Sequence, residues 1–197
     1  MQIAILALQG AFQEHMDTLK RIGVPSFLIR QKRDLERPFD GLILPGGEST
    51  VMGKLLKELA LYAPLLQKIK AGLPVFGTCA GLLLLAHEIE GGNPLFGTMD
   101  VAARRNAYGR QLGSFRATGA FGSQEGITMP FIRAPYLKSV GSQVEILSVV
   151  DGKIVAARQN HQLVTAFHPE LTGQDFVHSY FLDMVQKAKS MQKQAAC

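Results

Sequence analysis

Gly77-Thr78-Cys79-Ala80-Gly81 places a thiol between two glycines, after an apolar run and before a helical pattern. That is the strand–turn–helix setting of a nucleophile elbow, with Cys where G-x-S-x-G hydrolases carry Ser. A sharp turn lifts the side chain clear of the backbone, and the glycines allow close packing around it. The following helix turns its N-terminus towards the sulfur. Partial positive charge there favours thiolate over thiol. Free N–H groups, that of Ala80 among them, suit a developing oxyanion. The bland alternative is a buried structural cysteine, since free Cys is among the most buried residue types.

A cysteine nucleophile needs a base, and the base needs an orienting group. His168-Pro169-Glu170 follows the apolar run Leu163–Phe167. Pro169 favours extended backbone at His168, and residues two apart on an extended segment share a side. The imidazole and the Glu170 carboxylate are therefore expected next to each other. Parallel sheets hold ligands at their strand ends, so Cys79 and His168 are expected to converge there. A lone His-Pro also occurs simply as a turn. His15, His87, His161 and His178 read as surface or helix residues with no part in the chemistry.

Pro45-Gly46-Gly47-Glu48-Ser49-Thr50 lies between a strand candidate and a helix candidate. Paired glycines let backbone N–H groups line a pocket, and a helix N-terminus after them favours anions or oxyanions. Neither a G-x-x-x-x-G-K-[ST] loop nor G-x-G-x-x-G spacing is present, so this is no phosphate loop. On its own it also fits a tight turn before a helix capped by Ser49 or Thr50.

The elements that must position these residues follow from pattern. Ile3–Leu8, Phe27–Ile29, Leu42–Leu44 and Pro74–Phe76 read as strands. Ala11–Ile22, Val51–Leu61 and Leu82–Ile89 read as helices between or after them. Such alternation means a parallel sheet with helices on both faces. Gly113–Gly126 shows little periodicity. Val144–Val150, Ile154–Ala157 and Leu163–Phe167 are strand-like, with Asp151-Gly152 as a hairpin turn. Asp175–Met184 returns to helix. The expected fold is a three-layer, doubly wound, mostly parallel α/β domain over residues 1–185, with a late antiparallel addition. The polar tail 186–197 is expected to fray.

Composition narrows the function classes. The chain has 197 residues, 47% hydrophobic and 19% charged, which suits one soluble globular domain. Net charge is +5, but the basic residues are scattered. The densest cluster, Arg30, Lys32, Arg33 and Arg37, is broken by Asp34 and Glu36 and reads as a solvated loop, not a nucleic-acid surface. Apolar runs are too short for a membrane helix. Cys79 and Cys197 are the two cysteines. They make no sensible staple, so a reducing, cytoplasmic setting without disulfides is expected. No metal-spaced Cys/His set occurs.

The motifs together resemble the class I, triad-type glutamine amidotransferases. Within them the chain is similar to the glutaminase subunits of pyridoxal 5′-phosphate synthases. The resemblance rests on six segments in order: Leu8-Gln9-Gly10, Leu44–Thr50, Phe76–Gly81, Arg105-Asn106-Ala107-Tyr108-Gly109-Arg110-Gln111, Phe131-Ile132-Arg133-Ala134-Pro135 and Phe167–Thr172. It spans Gln2 to about Met184. It implies a flavodoxin-like fold and a Cys79, His168, Glu170 triad that hydrolyses L-glutamine through a thioester. It implies glutamine held by Gly46, Gly47, Glu48, Arg105, Ile132 and Arg133, with an oxyanion hole from Gly47 and Ala80. It further implies no cofactor and no metal. The implied partner is a (β/α)₈-barrel synthase subunit in a hetero-oligomer, which receives the ammonia for vitamin B6 synthesis. The chemistry of free glutamine agrees, because an Arg fork pairs with an α-carboxylate in bidentate geometry. Two rival readings are an amidotransferase subunit of another pathway, such as imidazole glycerol phosphate synthesis, and a non-catalytic α/β stress protein with a redox-active elbow cysteine. The second gives His168-Pro169-Glu170 nothing to do.

Overall fold

The computed structural model describes residues 1–105 and 113–195, the last four of these by backbone alone. Asn106 to Gln111 of the arginine motif, and Cys197, lie outside the described residues.

Five short parallel strands form the half of the sheet that carries the site. They are β1 (Ile3–Leu6), β2 (Ser26–Ile29), β3 (Gly41–Leu44), β4 (Val75–Thr78) and, from late in the chain, β12 (Gln162–Thr165). Their spatial order is β2-β1-β3-β4-β12. Every residue of β1, β3 and β4 is buried, as expected for strands covered on both faces.

Helices α1 (Phe12–Ile22) and α5 (Phe176–Ala195) cover one face, and α2 (Ser49–Glu58) packs on α4 (Ala80–Leu85) on the other. Alternation along β4 shows both layers. Phe76 points at α1 and α5, where its ring meets His15, His178 and Phe181. Gly77 points the other way, against Gly81 and Leu82 of α4. Truncating the fully buried Phe76 to Ala would cost about 3–5 kcal/mol. Helix α1 stops at Gly23, whose φ of +81° is left-handed and whose N–H returns to the α1 carbonyls.

The second half of the sheet is mixed. Strands β5 (Ala86–Glu90) and β6 (Met99–Arg104) pair in parallel, while β6, β9 (Tyr136–Val140), β11 (Lys153–Gln159) and β12 run antiparallel in turn. Strand β10 (Glu145–Val150) joins β11 through Asp151-Gly152, both at positive φ, the I′ turn that this dipeptide favours. Strands β7 (Ser114–Phe121) and β8 (Gln124–Ile132) form a separate hairpin.

The doubly wound, mostly parallel sheet with an antiparallel addition is what the alternation predicted. Three local expectations change. The apolar stretch 82–89 is not one helix: α4 ends at Leu85, Ala86 turns to ψ 134°, and β5 begins. A helix α3 (Tyr62–Lys70) follows α2. Segment 113–126 holds β7 and the hairpin turn. The polar stretch from Gln186 is helical as far as Ala195, in continuation of α5. The cluster around Arg30–Arg37 is an exposed 3-10 turn (Lys32–Glu36) capped by Asp34. Among the described residues no helix is long and apolar enough to cross a membrane.

Candidate active site

Cys79 stands between β4 and α4 at φ +48°, ψ −97°, a conformation that L-residues adopt only when the surroundings enforce it. Here they do. The Cys79 N–H donates to the Thr165 carbonyl of β12 at 2.8 Å. Gly81 lets α4 press against β3: a Cβ there would sit 2.0 Å from the Leu44 carbonyl oxygen. The thiol is 7% exposed and lies 3.9 Å from the Ile132 carbonyl oxygen. Helix α4 has only six residues, so its dipole is short. Ala80, its first residue, carries an N–H without an intrahelical acceptor.

His168 follows β12 and starts the 3-10 turn Pro169–Leu171. Its N–H donates to the Pro130 carbonyl of β8 at 2.8 Å, and Phe167 packs edge-on against Phe131. The β7–β8 hairpin thus braces the base. Nδ1 of His168 lies 2.7 Å from Oε1 of Glu170. That bond occupies Nδ1, so Nε2 is the ring nitrogen left to serve the Cys79 thiol, which lines the same cavity. Burial disfavours the imidazolium, but the bonds to Cys79 and Glu170 outweigh it and raise His168 to about 10. Burial lifts the Glu170 carboxyl above its ordinary range, and the bond to His168 draws it back only in part.

The glycine loop sits directly opposite. The Gly46 N–H donates to Thr78 Oγ1 at 2.9 Å. Gly10, at φ +93°, crosses so close that a Cβ would stand 1.7 Å from the Gly46 oxygen. Gln9 Oε1 accepts from the Glu48 N–H at 2.7 Å. Glu48 itself, not Ser49 or Thr50, caps α2: its carboxylate accepts from the N–H groups of Thr50 and Val51 at 3.1 and 2.8 Å.

One cavity of about 510 Å³ joins these parts. Its walls include Cys79, His168, Gly46, Gly47, Glu48, Ala80, Arg105, Ile132 and Arg133. Every residue expected from the sequence is therefore at the cavity except Glu170, which stands behind His168. Arg105 is half-buried, with NH1 3.4 Å from Thr50 Oγ1 and a buried Nε that has no partner among the described residues. Arg133 is exposed at φ +44°.

Two residues read as bland belong to this neighbourhood. His15 and His178 are fully buried, with His15 Nδ1 2.9 Å from His178 Nε2 and His15 Nε2 3.2 Å from Thr78 Oγ1. Gln9 and Thr78 also gain parts that the motifs quoted without assigning. His15 lies on the inner face of an amphipathic helix, and that placement was the one available signal.

A cysteine elbow opposite a His–Glu pair, at the strand ends of a doubly wound sheet, defines a glutamine amidotransferase domain. A solved structure described as a glutamine amidotransferase superposes with a TM-score of 0.88 at 39% identity, over 93% of this chain and 98% of that one. The PurLQS structure from Thermotoga maritima shares the fold at 12% identity and a TM-score of 0.61, over 94% and 95%. The chain belongs to the SNO glutamine amidotransferase family, whose model matches residues 5–187. It is 59% identical to the pyridoxal 5′-phosphate synthase subunit PdxT of Methanocorpusculum labreanum, over 94% of this chain and 98% of that protein. It is 51% identical to PdxT of Haemophilus influenzae strain PittGG, over 95% and 100%.

Proposed function

We propose that this chain is the glutaminase subunit of a pyridoxal 5′-phosphate synthase, with Cys79, His168 and Glu170 as its triad. The observation that carries the reading is the His168 ring, bonded to a buried carboxylate and sharing one cavity with the Cys79 thiol. The names of the full-length relatives supply the pathway.

The Cys79 sulfur attacks the side-chain amide carbon of L-glutamine, and His168 is the cation beside it. The Gly47 and Ala80 N–H groups receive the oxyanion. His168 gives its proton to the departing nitrogen, ammonia leaves, and a γ-glutamyl thioester remains. Water, deprotonated by His168, attacks the thioester. Glutamate departs and the thiol is restored. Glu170 holds the ring's tautomer and supports its charge throughout. Arg105, with the Glu48 and Ile132–Arg133 segments, holds the amino-acid end of glutamine.

Ammonia is largely protonated near neutral pH and is then no nucleophile. A docked acceptor, the (β/α)₈-barrel synthase subunit in a hetero-oligomer, receives it before it meets bulk water. A free thiol suits the reducing cytoplasm. The test is glutamate release from glutamine by the chain mixed with its synthase subunit. Replacement of Cys79→Ala should abolish it while the chain still folds and still binds its synthase subunit. Normal turnover by that variant would refute the assignment.

A further inference from the structure

Glu170 uses only one of its two carboxylate oxygens on His168. The other, Oε2, is buried with no hydrogen-bond partner among the described residues, and His15 Nε2 stands 3.6 Å from it. Both side chains are wholly excluded from solvent. His15 therefore has to be read together with the carboxylate.

The position of one proton decides the nature of that contact. With the proton on Nδ1 of His15, the Nε2 lone pair would face a carboxylate, which is repulsive. With the proton on Nε2, the same contact is attractive, and Nδ1 accepts from His178 Nε2–H at 2.9 Å. That choice leaves His178 Nδ1 as a bare lone pair, and this atom is buried without a partner among the described residues. The remaining charged groups that act on this cluster are Glu14 of α1, His168, and Asp175 and Arg21 beside His178. Burial keeps both inner imidazoles neutral, holding His15 and His178 well below the ordinary histidine range.

We propose that His15 is a positioning residue for the triad: a neutral imidazole whose Nε2–H steadies the inner oxygen of Glu170 and, through Thr78, the Gly46 turn. The second arm is as direct as the first. Nε2 of His15 lies 3.2 Å from Thr78 Oγ1, which accepts the Gly46 N–H at 2.9 Å. Gly46 in turn packs on the His168 ring. One buried donor thus reaches both supports of the base, its carboxylate and its packing surface. Such networks act as units, so loss of one member loosens the others.

The inference rests on the triad assignment, and its test separates the two. His15→Leu removes the donor, and His15→Gln returns an amide N–H near the Nε2 position. Glutamine hydrolysis by each variant is measured with the synthase subunit present. Independently, Cys79 alkylation by iodoacetamide is followed against pH in a Cys197→Ser chain. In His15→Leu, kcat should fall about tenfold with KM within about twofold. The upper step of the alkylation profile, where His168 loses its proton, should move down by about one pH unit. His15→Gln should recover most of both. An unchanged upper step in His15→Leu overturns the proposal, and so does a loss confined to KM. If His15→Leu does not fold, His178→Phe decides. It keeps His15 but removes the donor to Nδ1, and should shift the upper step in the same direction. No shift there overturns the proposal equally. Alkylation needs no glutamine. A wild-type chain that alkylates with this profile but hydrolyses no glutamine would sink the functional reading and leave the His15 result intact.

Discussion

The His168 ring occupies the space that a side chain on Gly46 would need: a Cβ there would stand 2.2 Å from Cε1 and 2.9 Å from Nδ1. Gly46 is not at positive φ, so this glycine answers to contact and not to backbone strain. Gly46→Ala should push the imidazole off the line between Cys79 and Glu170. Misplacement of a catalytic group by about 1 Å costs on the order of 10²-fold. Glutaminase kcat should fall by about that factor, with a smaller effect on melting temperature. Steady-state kinetics of the variant in its synthase complex, beside a melting curve, would show it. Undiminished turnover would mean that the ring and the loop part company in solution.

Arg105 offers the cavity a guanidinium whose Nε is buried and unpartnered among the described residues. A glutamine α-carboxylate would supply the missing acceptor in bidentate form. Arg105→Lys keeps the charge and loses the fork. KM for glutamine should rise about 10- to 100-fold, the range of a charged hydrogen bond. Bound to the α-carboxylate, the arginine would stand away from the reacting amide, so kcat should stay within a few-fold. A drop in kcat at unchanged KM would place Arg105 in the chemistry instead.

The parallel half of the fold and the elbow were legible because one physical signal carried each. Short, wholly apolar runs mark strands buried on both faces, and β1, β3 and β4 are such strands. The stretch 82–89 misled because Ala86 and Ile89 suit either period: Ala86 and Ile89 are the buried residues of β5, yet they also continue a helical stripe from Leu82. Helix α3 was not anticipated; it holds Pro64 in its first turn, where backbone N–H groups have no helical acceptor and a proline is harmless. Glu48 as a cap was masked by Ser49 and Thr50, the commoner capping types. The His15–His178 contact joins residues 163 positions apart, and no local pattern reports such a meeting.

His178 is lowered to about 4, chiefly by burial, with the Arg21 charge adding to it against Asp175. His15 is lowered too, by burial and by His178. In the unfolded chain both titrate near 6.5. The unfolded state therefore takes up protons first. Stability is complete above pH 6.5 and is lost as pH falls towards 4. Melting temperature should decline across that window. His178→Phe, which keeps the ring packing on Phe76, should flatten the decline. Carboxylates such as Asp34, held low by the Arg30 and Gln31 amides, add their losses at lower pH. A wild-type curve level from 6.5 to 4 would contradict neutral, buried imidazoles.

His168 makes the opposite prediction at the alkaline end. Its raised value of about 10, won by Cys79 and Glu170 over burial, stands above the unfolded value near 6.5. The folded state holds the proton more tightly, so this contribution is complete below about pH 6.5. It is lost as pH rises from there through about 10. Glu170→Gln removes the anion at Nδ1 and Cys79→Ala removes the neighbouring thiol that also raises the ring. Each should lower the His168 value and flatten the fall in melting temperature between pH 7 and 10. The two should differ in turnover. Cys79→Ala should leave no glutaminase activity, because the attacking atom is gone. Glu170→Gln should keep a residue about 10²- to 10⁴-fold below wild type, because the nucleophile and the oxyanion donors survive a misoriented base. Melting curves against pH and single-turnover glutamate release would test both halves. A Glu170→Gln chain as fast as wild type would show that the carboxylate beside His168 serves the fold alone.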